Sequence, residues 1–270
     1  MGDQRRLAGY IDVGRGAIDE LLGLLESLAA EEWSTPTDLP GWDVRAVAAH
    51  VAHIESVLAG LPQPEADAAD GEPMLAPSPA YTERGVVARS GCTPEEIIAE
   101  IRLACRLRFE ALDAEPPVDG SIVPETAIPT AWTWNTLLRN RPLDVWMHEQ
   151  DIRRAVARPG GLDSPAALHT VRYYAEGVGF VAAKRAAAEP GTTVVLELDD
   201  APPIAFEVTA ERRGVPLSEV PDEPTVRLSM DRESFIVLSG GRRAPAPGAV
   251  SSAGDLELAE RILGALNTTP

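Results

Sequence analysis

The stretch 141-RPLDVWMHEQDIRRAVARPGG-161 decides how the first half of this 270-residue chain folds. Its apolar residues Leu143, Val145, Trp146, Met147 and Ile152 predict a helix over about 141–157. Pro142 is expected in the first turn, where its missing N–H leaves no bond unmade. Arg158–Pro159–Gly160–Gly161 supplies the stop. Asp144 and His148 form an i, i+4 pair, so they share one face with Cβ atoms about 5–6 Å apart. Ile152 extends that row by one more turn, so the pair points near the apolar side of the helix. A carboxylate among apolar side chains is costly unless it is paired or bound to a metal.

Upstream, Leu7, Ile11, Ile18, Leu21, Leu22, Leu25 and Leu28 predict a first helix over 4–30. A connector from Trp33 to Trp42 holds Pro36 and Pro40. Asp43 then caps a second helix to about Leu61, with Val44, Val47, Val51, Ile54, Val57 and Leu58 on its stripe. His50 stands on that same stripe. Residues 62–92 carry five prolines and little apolar pattern, which predicts a crossover, a lid or a mobile loop. Thr93, Pro94 and Glu96 make a capping box for a third helix. Its apolar positions run from Ile97 to Leu112. A further loop over 114–139 contains Trp132 and Trp134.

Downstream the pattern changes. Ser164–Pro165 opens a fifth helix to about Ala188. Thr192–Leu198, Ile204–Val208 and Thr225–Ser229 read as strands. Short helices are expected near 231–239 and 253–267. The fold class is therefore α+β with two domains: a four-helix bundle over 1–160 and a small α+β domain over 161–270.

The formal charge of −18 excludes a nucleic-acid partner, which needs clustered Lys and Arg. It also argues against an anionic membrane surface. No apolar run reaches the ~18 residues of a spanning helix. The opening residues Met1–Gly2–Asp3–Gln4–Arg5–Arg6 lead into a mixed segment without a signal-peptide core, so a cytoplasmic protein is expected. Cys92 and Cys105 do not form a CxxC motif. The only lysine is Lys184, among 24 basic residues, which fits a GC-rich coding sequence.

The chain has four histidines: His50, His53, His148 and His169. One histidine of helix two, with Asp144 and His148 of helix four, would give three ligands in a bundle core. Three ligands and one open position describe a catalytic zinc site. The plainer readings are a surface pair and packed core histidines.

Asp38–Leu39–Pro40–Gly41–Trp42–Asp43–Val44–Arg45, followed by Ala48–Ala49–His50–Val51–Ala52, resembles a signature of the mycothiol-dependent maleylpyruvate isomerases. These belong to the DinB-like superfamily and are actinobacterial. Asp144, Trp146 and the run His148–Arg154, with Arg158–Pro159–Gly160, resembles their second signature. The C-terminal unit is similar to the family's second domain, which is related to the sterol-carrier-protein fold.

The resemblance implies one divalent metal, usually Zn2+, held by His50, Asp144 and His148. Many relatives carry Glu where this chain has Asp144, one methylene shorter. It also implies mycothiol as cosubstrate, with a small-molecule electrophile as the second partner. A thiolate is the nucleophilic form of a thiol, and a dication deprotonates a coordinated thiol. Asp151, three residues after His148, is placed to hold an imidazole N–H. His53 and Trp134 are candidates for the pocket lining, and Arg242 and Arg243 for contact with an anionic group.

The expected reaction is mycothiol S-transfer, with cis–trans isomerisation of a maleylpyruvate-type acid as the alternative. A zinc hydrolase using Asp151 or Glu149 as base, and a non-catalytic metal- or small-molecule-binding protein, are the competing classes. The assembly expected is a monomer or homodimer.

Overall fold

The computed structural model describes residues 2–63, 79–124, 132–199 and 201–268. The chain divides into two compact units, Met1–Ala167 and Leu168–Pro270. Part of the loop expected over 62–92 (64–78) and part of that expected over 114–139 (125–131) lie outside the described residues.

The first unit is helical. Its elements are α1 (Gly2–Glu26), a 3-10 turn (Ala30–Ser34), α2 (Val44–Leu58), α3 (Pro79–Val87), α4 (Pro94–Ala114) and α5 (Trp134–Ala155). Helix α1 packs on α5 and α4, while α2 packs on α4, α3 and α5. The core between them includes Leu7, Leu21, Leu25, Val47, Val51, Ile97, Ile101, Trp146 and Ile152, all nearly inaccessible. The expected caps form. Asp43 accepts from Ala46 N at 2.8 Å. Thr93 and Glu96 close their box at 3.3 and 2.7 Å.

Two helices differ from the sequence expectation. Helix α5 begins at Trp134, capped by Thr133, so Pro142 lies in its interior. A proline inside a helix removes one i to i−4 bond and tends to kink it. Pro142 is buried, and the helix runs on through it to Ala155. Helix α3 also forms inside the segment expected to be loop. It lies on α2 at Gly85, where an added Cβ would sit 2.2 Å from the His53 ring. Glycine is required there because the α3 backbone rests directly on an imidazole.

The second unit begins within α6 (Pro165–Phe180), which ends in a π turn (Val181–Arg185). A five-stranded sheet follows: β1 (Thr193–Leu198), β2 (Ile204–Val208), β3 (Gly214–Pro216), β4 (Val226–Met230) and β5 (Val250–Gly254). Helix α7 (Arg232–Ser239) follows β4, and α8 (Leu256–Gly264) follows β5. The sheet order is β3-β2-β1-β4-β5, with β1 and β4 parallel and the other pairs antiparallel.

β3 and β5 carry no strand pattern that the sequence could show. β3 is three residues with a proline, and such a strand survives only at a sheet edge. β5 reads VSSAG, and Gly254 at φ +85° ends it before Asp255 caps α8. The helix expected from residue 253 therefore starts at Leu256.

Gly85→Ala should lower stability by about 1–3 kcal/mol, the usual cost of overpacking a close contact. Urea melts of the variant would show it. An unchanged midpoint would mean that α3 is not seated on His53.

Candidate active site

Three side chains from two helices converge in the first unit. His50 comes from α2, and Asp144 and His148 from α5. One ligand atom from each lies within 4.8 Å of the others. His50 Nε2 is 3.8 Å from Asp144 Oδ2, and His148 Nε2 is 3.8 Å from Asp144 Oδ1. The two imidazoles meet edge to face at 4.7 Å. These separations are too long for hydrogen bonds. They are close to the roughly 3.3–3.6 Å edge of a tetrahedron with metal–ligand bonds of about 2.0–2.2 Å.

The surroundings orient each ligand. His148 Nδ1 is 3.2 Å from Asp151 Oδ2, and Asp151 is wholly buried. A proton on Nδ1 then leaves Nε2 with its lone pair facing the other two ligands. Asp151 Oδ1 accepts from Arg154 at 2.7 Å, and Arg154 reaches Asp38 at 2.8 Å. The loop that begins at Asp38 is thus tied to the back of His148. Asp144 Oδ2 accepts from Arg141 Nη1 at 2.7 Å. Nδ1 of His50 is buried without a partner among the described residues.

Charge follows from this packing. Burial pushes the His50 imidazole down from 6.5 to about 4. Asp144 works against that shift, while His148 and Arg141 add to it. Burial would raise the Asp144 carboxyl, but the Arg141 guanidinium and the two histidines hold it well below the usual carboxylate range. At neutral pH the site therefore offers a neutral imidazole and a carboxylate, the protonation states that metal ligands need. The residues present fit a divalent ion.

Trp42 flanks the site. Its ring lies 5.3 Å from His50 and 6.3 Å from His148, and its indole N–H donates to Glu83 of α3 at 3.1 Å.

His53 turns toward α3: Tyr81 lies against its ring with centroids 5.0 Å apart and planes tilted by 48°, and its Nδ1 is 3.0 Å from Gln63 Oε1. Burial lowers its pKa. Trp134 starts α5 ten residues before Asp144, about 15 Å along the helix axis. Arg242 and Arg243 belong to the second unit, where Arg242 donates to Gly240 O at 2.7 Å and Arg243 is 3.7 Å from Glu233. Glu149 is bound to Arg153 at 2.6 Å.

Two residues that sequence reading passed over complete the arrangement. Arg141 stands one turn before Asp144, and Glu55 is fully buried on α2. Their signal was present but weak: a basic residue at i−3 from a carboxylate, and an acid on a mostly apolar helix.

The sequence profile of the mycothiol maleylpyruvate isomerase N-terminal domain matches residues 15–153. The chain belongs to the mycothiol maleylpyruvate isomerase family. The profile of the MDMPI C-terminal domain matches residues 169–261. Two solved structures share the fold: one described as the mycothiol-dependent maleylpyruvate isomerase, the other as a histidine-to-alanine mutant of that enzyme. They align with TM-scores of 0.56 and 0.54, at 19% and 18% identity, over 92% of this chain and 92% of theirs. No curated protein matches the chain. No helix among the described residues is long and apolar enough to cross a membrane.

His50 makes stability depend on pH with a defined sign. Its folded pKa of about 4 lies below the value of 6.5 expected for an exposed imidazole. The unfolded chain thus takes up more protons between those values, so stability falls as pH drops from 6.5 to about 4. Above 6.5 the contribution is constant. Urea melts of ion-stripped protein across this range should show a shallower pH slope in His50→Gln than in wild type. Equal slopes would mean that His50 is not held neutral.

Proposed function

We propose that this chain is a mycothiol-dependent isomerase acting on a small unsaturated acid of the maleylpyruvate type. The reaction would take place at a divalent-metal centre formed by His50, Asp144 and His148. The observation that carries the reading is the convergence of these three groups within the region that matches the family profile. We read the helical unit as a DinB-like four-helix bundle and the second unit as related to the sterol-carrier-protein fold. Zinc suits two imidazoles and one carboxylate.

A divalent ion held there would lower the pKa of a thiol that binds beside it, supplying thiolate at neutral pH. The chain's own residues prepare that step. Asp151 fixes the tautomer of His148 through Nδ1, so that the Nε2 edge faces the other two groups. Burial, with the Arg141 charge nearby, keeps His50 neutral. The Trp42 ring covers one side of the histidine pair and limits water there.

The mycothiol thiolate adds to the cis double bond of the acid, which becomes a single bond and rotates. Loss of the thiolate re-forms the double bond in the trans geometry. The thiol is returned, so no atoms are gained or lost. The buried thiol of Cys105 is unsuited to this work. Burial and the Glu55 carboxylate push the Cys105 thiol up, and Cys105 Sγ sits 3.6 Å from Glu55 Oε2.

Isomerisation is preferred here to the S-transfer expected from sequence. The preference for transfer rested on how common the superfamily signature is, whereas the matched family is an isomerase family. Hydrolysis has less support. It needs a free base, and Asp151 is engaged by His148 and Arg154, while Glu149 is engaged by Arg153.

The test is incubation with mycothiol and a cis unsaturated keto acid, followed by mass spectrometry. Isomerisation predicts many molecules of trans acid per molecule of thiol, with the thiol recovered. Consumption of one thiol per acid, as a stable S-adduct, would instead establish transfer. Metal analysis should find about one ion per chain, lost together with activity in His148→Ala. Full metal content in that variant would end the ligand assignment.

A further inference from the structure

Asp144 is held by a guanidinium that is itself immobilised. Arg141 Nη1 donates to Asp144 Oδ2 at 2.7 Å. Arg141 Nε and Nη2 donate to Glu55 Oε1 at 3.1 and 2.9 Å. Glu55 is wholly buried, and its other oxygen faces Arg108 Nε at 3.0 Å. Arg141 is 5% exposed. A planar fork gripped by two carboxylates cannot rotate away from either one.

The two oxygens of Asp144 are consequently unequal. Each oxygen faces one imidazole at 3.8 Å, Oδ2 that of His50, and only Oδ2 also carries the Arg141 bond. Oδ1 faces His148 Nε2 at 3.8 Å and accepts no hydrogen bond from the described residues. Carboxylates bind metals through one oxygen or through both. Two oxygens with two imidazoles supply four protein donors and, with a water, a coordination number above four, whereas one oxygen with two imidazoles leaves the fourth position of a four-coordinate site vacant.

We propose that Arg141 is a positioning residue that reserves Oδ2, so that Asp144 offers a metal only Oδ1 and a position stays open for the thiol. Glu55 and Arg108 serve this purpose by pinning Arg141. The short side chain of Asp144, at i+3 from Arg141, keeps Oδ2 within the guanidinium's reach. The inference rests on the metal-centre reading above.

The test uses full-length Arg141→Met, loaded with Co2+, whose visible absorption is strong when four-coordinate and weak at higher coordination. Met matches the length of the arginine stem, and Glu55 keeps Arg108 as its partner. The band should be several-fold weaker in the variant than in wild type. Zinc should bind at least as tightly as in wild type. Mycothiol should shift the wild-type band and leave that of the variant unmoved. Arg141→Lys, which keeps the charge but not the fork, should change the band in the same direction and secures the test if the Met variant does not fold.

A band of wild-type intensity in both variants would overturn the proposal. So would zinc binding weakened about 10–100-fold with an unchanged band, the mark of ordinary ligand support. Failure of the underlying reading looks different. Wild-type protein would then take up no stoichiometric Co2+, or His148→Ala would retain it.

Discussion

Arg141 stands between two carboxylates that could not be placed so deep without it. Glu55 is wholly buried, Asp144 is 26% exposed, and one guanidinium serves both. Taking an isolated carboxylate out of water costs several kcal/mol. The cost is offset only where partners meet each oxygen, and here Arg108 completes the set. This linkage crosses the helical unit, since it joins α2, α4 and α5 through side chains far apart in sequence. It fixes where Asp144 points and therefore where His50 and His148 can meet it. The same pairing pushes the Arg141 pKa up: burial opposes the shift, and the Asp144 and Glu55 charges overcome it.

A second polar cluster does a different job nearby. Arg89 is buried, grips Glu100 at 2.9 and 2.6 Å and reaches Gln63 at 3.1 Å, with His53 alongside. Ser56 completes Glu100 at 2.7 Å. These residues fasten α3 onto α2 and α4. Because Glu83 of α3 holds the Trp42 indole, that fastening also sets the wall beside the histidine pair. His50 and His53 are one turn apart, yet they serve separate networks.

Much of this was legible in the residues. Periodic Leu, Ile and Val gave α1, α2 and α4 their approximate bounds. Caps at Asp43 and Thr93 placed two starts closely, because capping is a local bond that needs a particular side chain. The Asp144/His148 spacing and the place of His50 on its stripe brought those three residues together as candidates. What stayed hidden depends on tertiary context. Pro142 suggests a helix start, and only its burial inside α5 shows a helix running through it. α3 has little apolar pattern and is secured by the Arg89 bond to Gly85 O and by its seat on the His53 ring. Arg141 and Glu55 each look like ordinary surface charges until the fold buries them against each other. β3 and β5 are edge strands whose pairing is supplied by β2 and β4.

The proposed ligands on α2 and α5 belong to segments joined through packing: Glu55 and Arg141, which bind across the same seam, are 86 residues apart in sequence. An unfolded chain holds no such arrangement, so an ion that binds there binds the folded form alone. Mass action then stabilises the helical unit by about 2.7 kcal/mol when free ion stands at about 100 times its Kd. With the proposed metal centre, the divalent-ion pool would be an effector of folding. Depleting that pool would raise the fraction of chains open to proteases even before any catalytic turnover is considered.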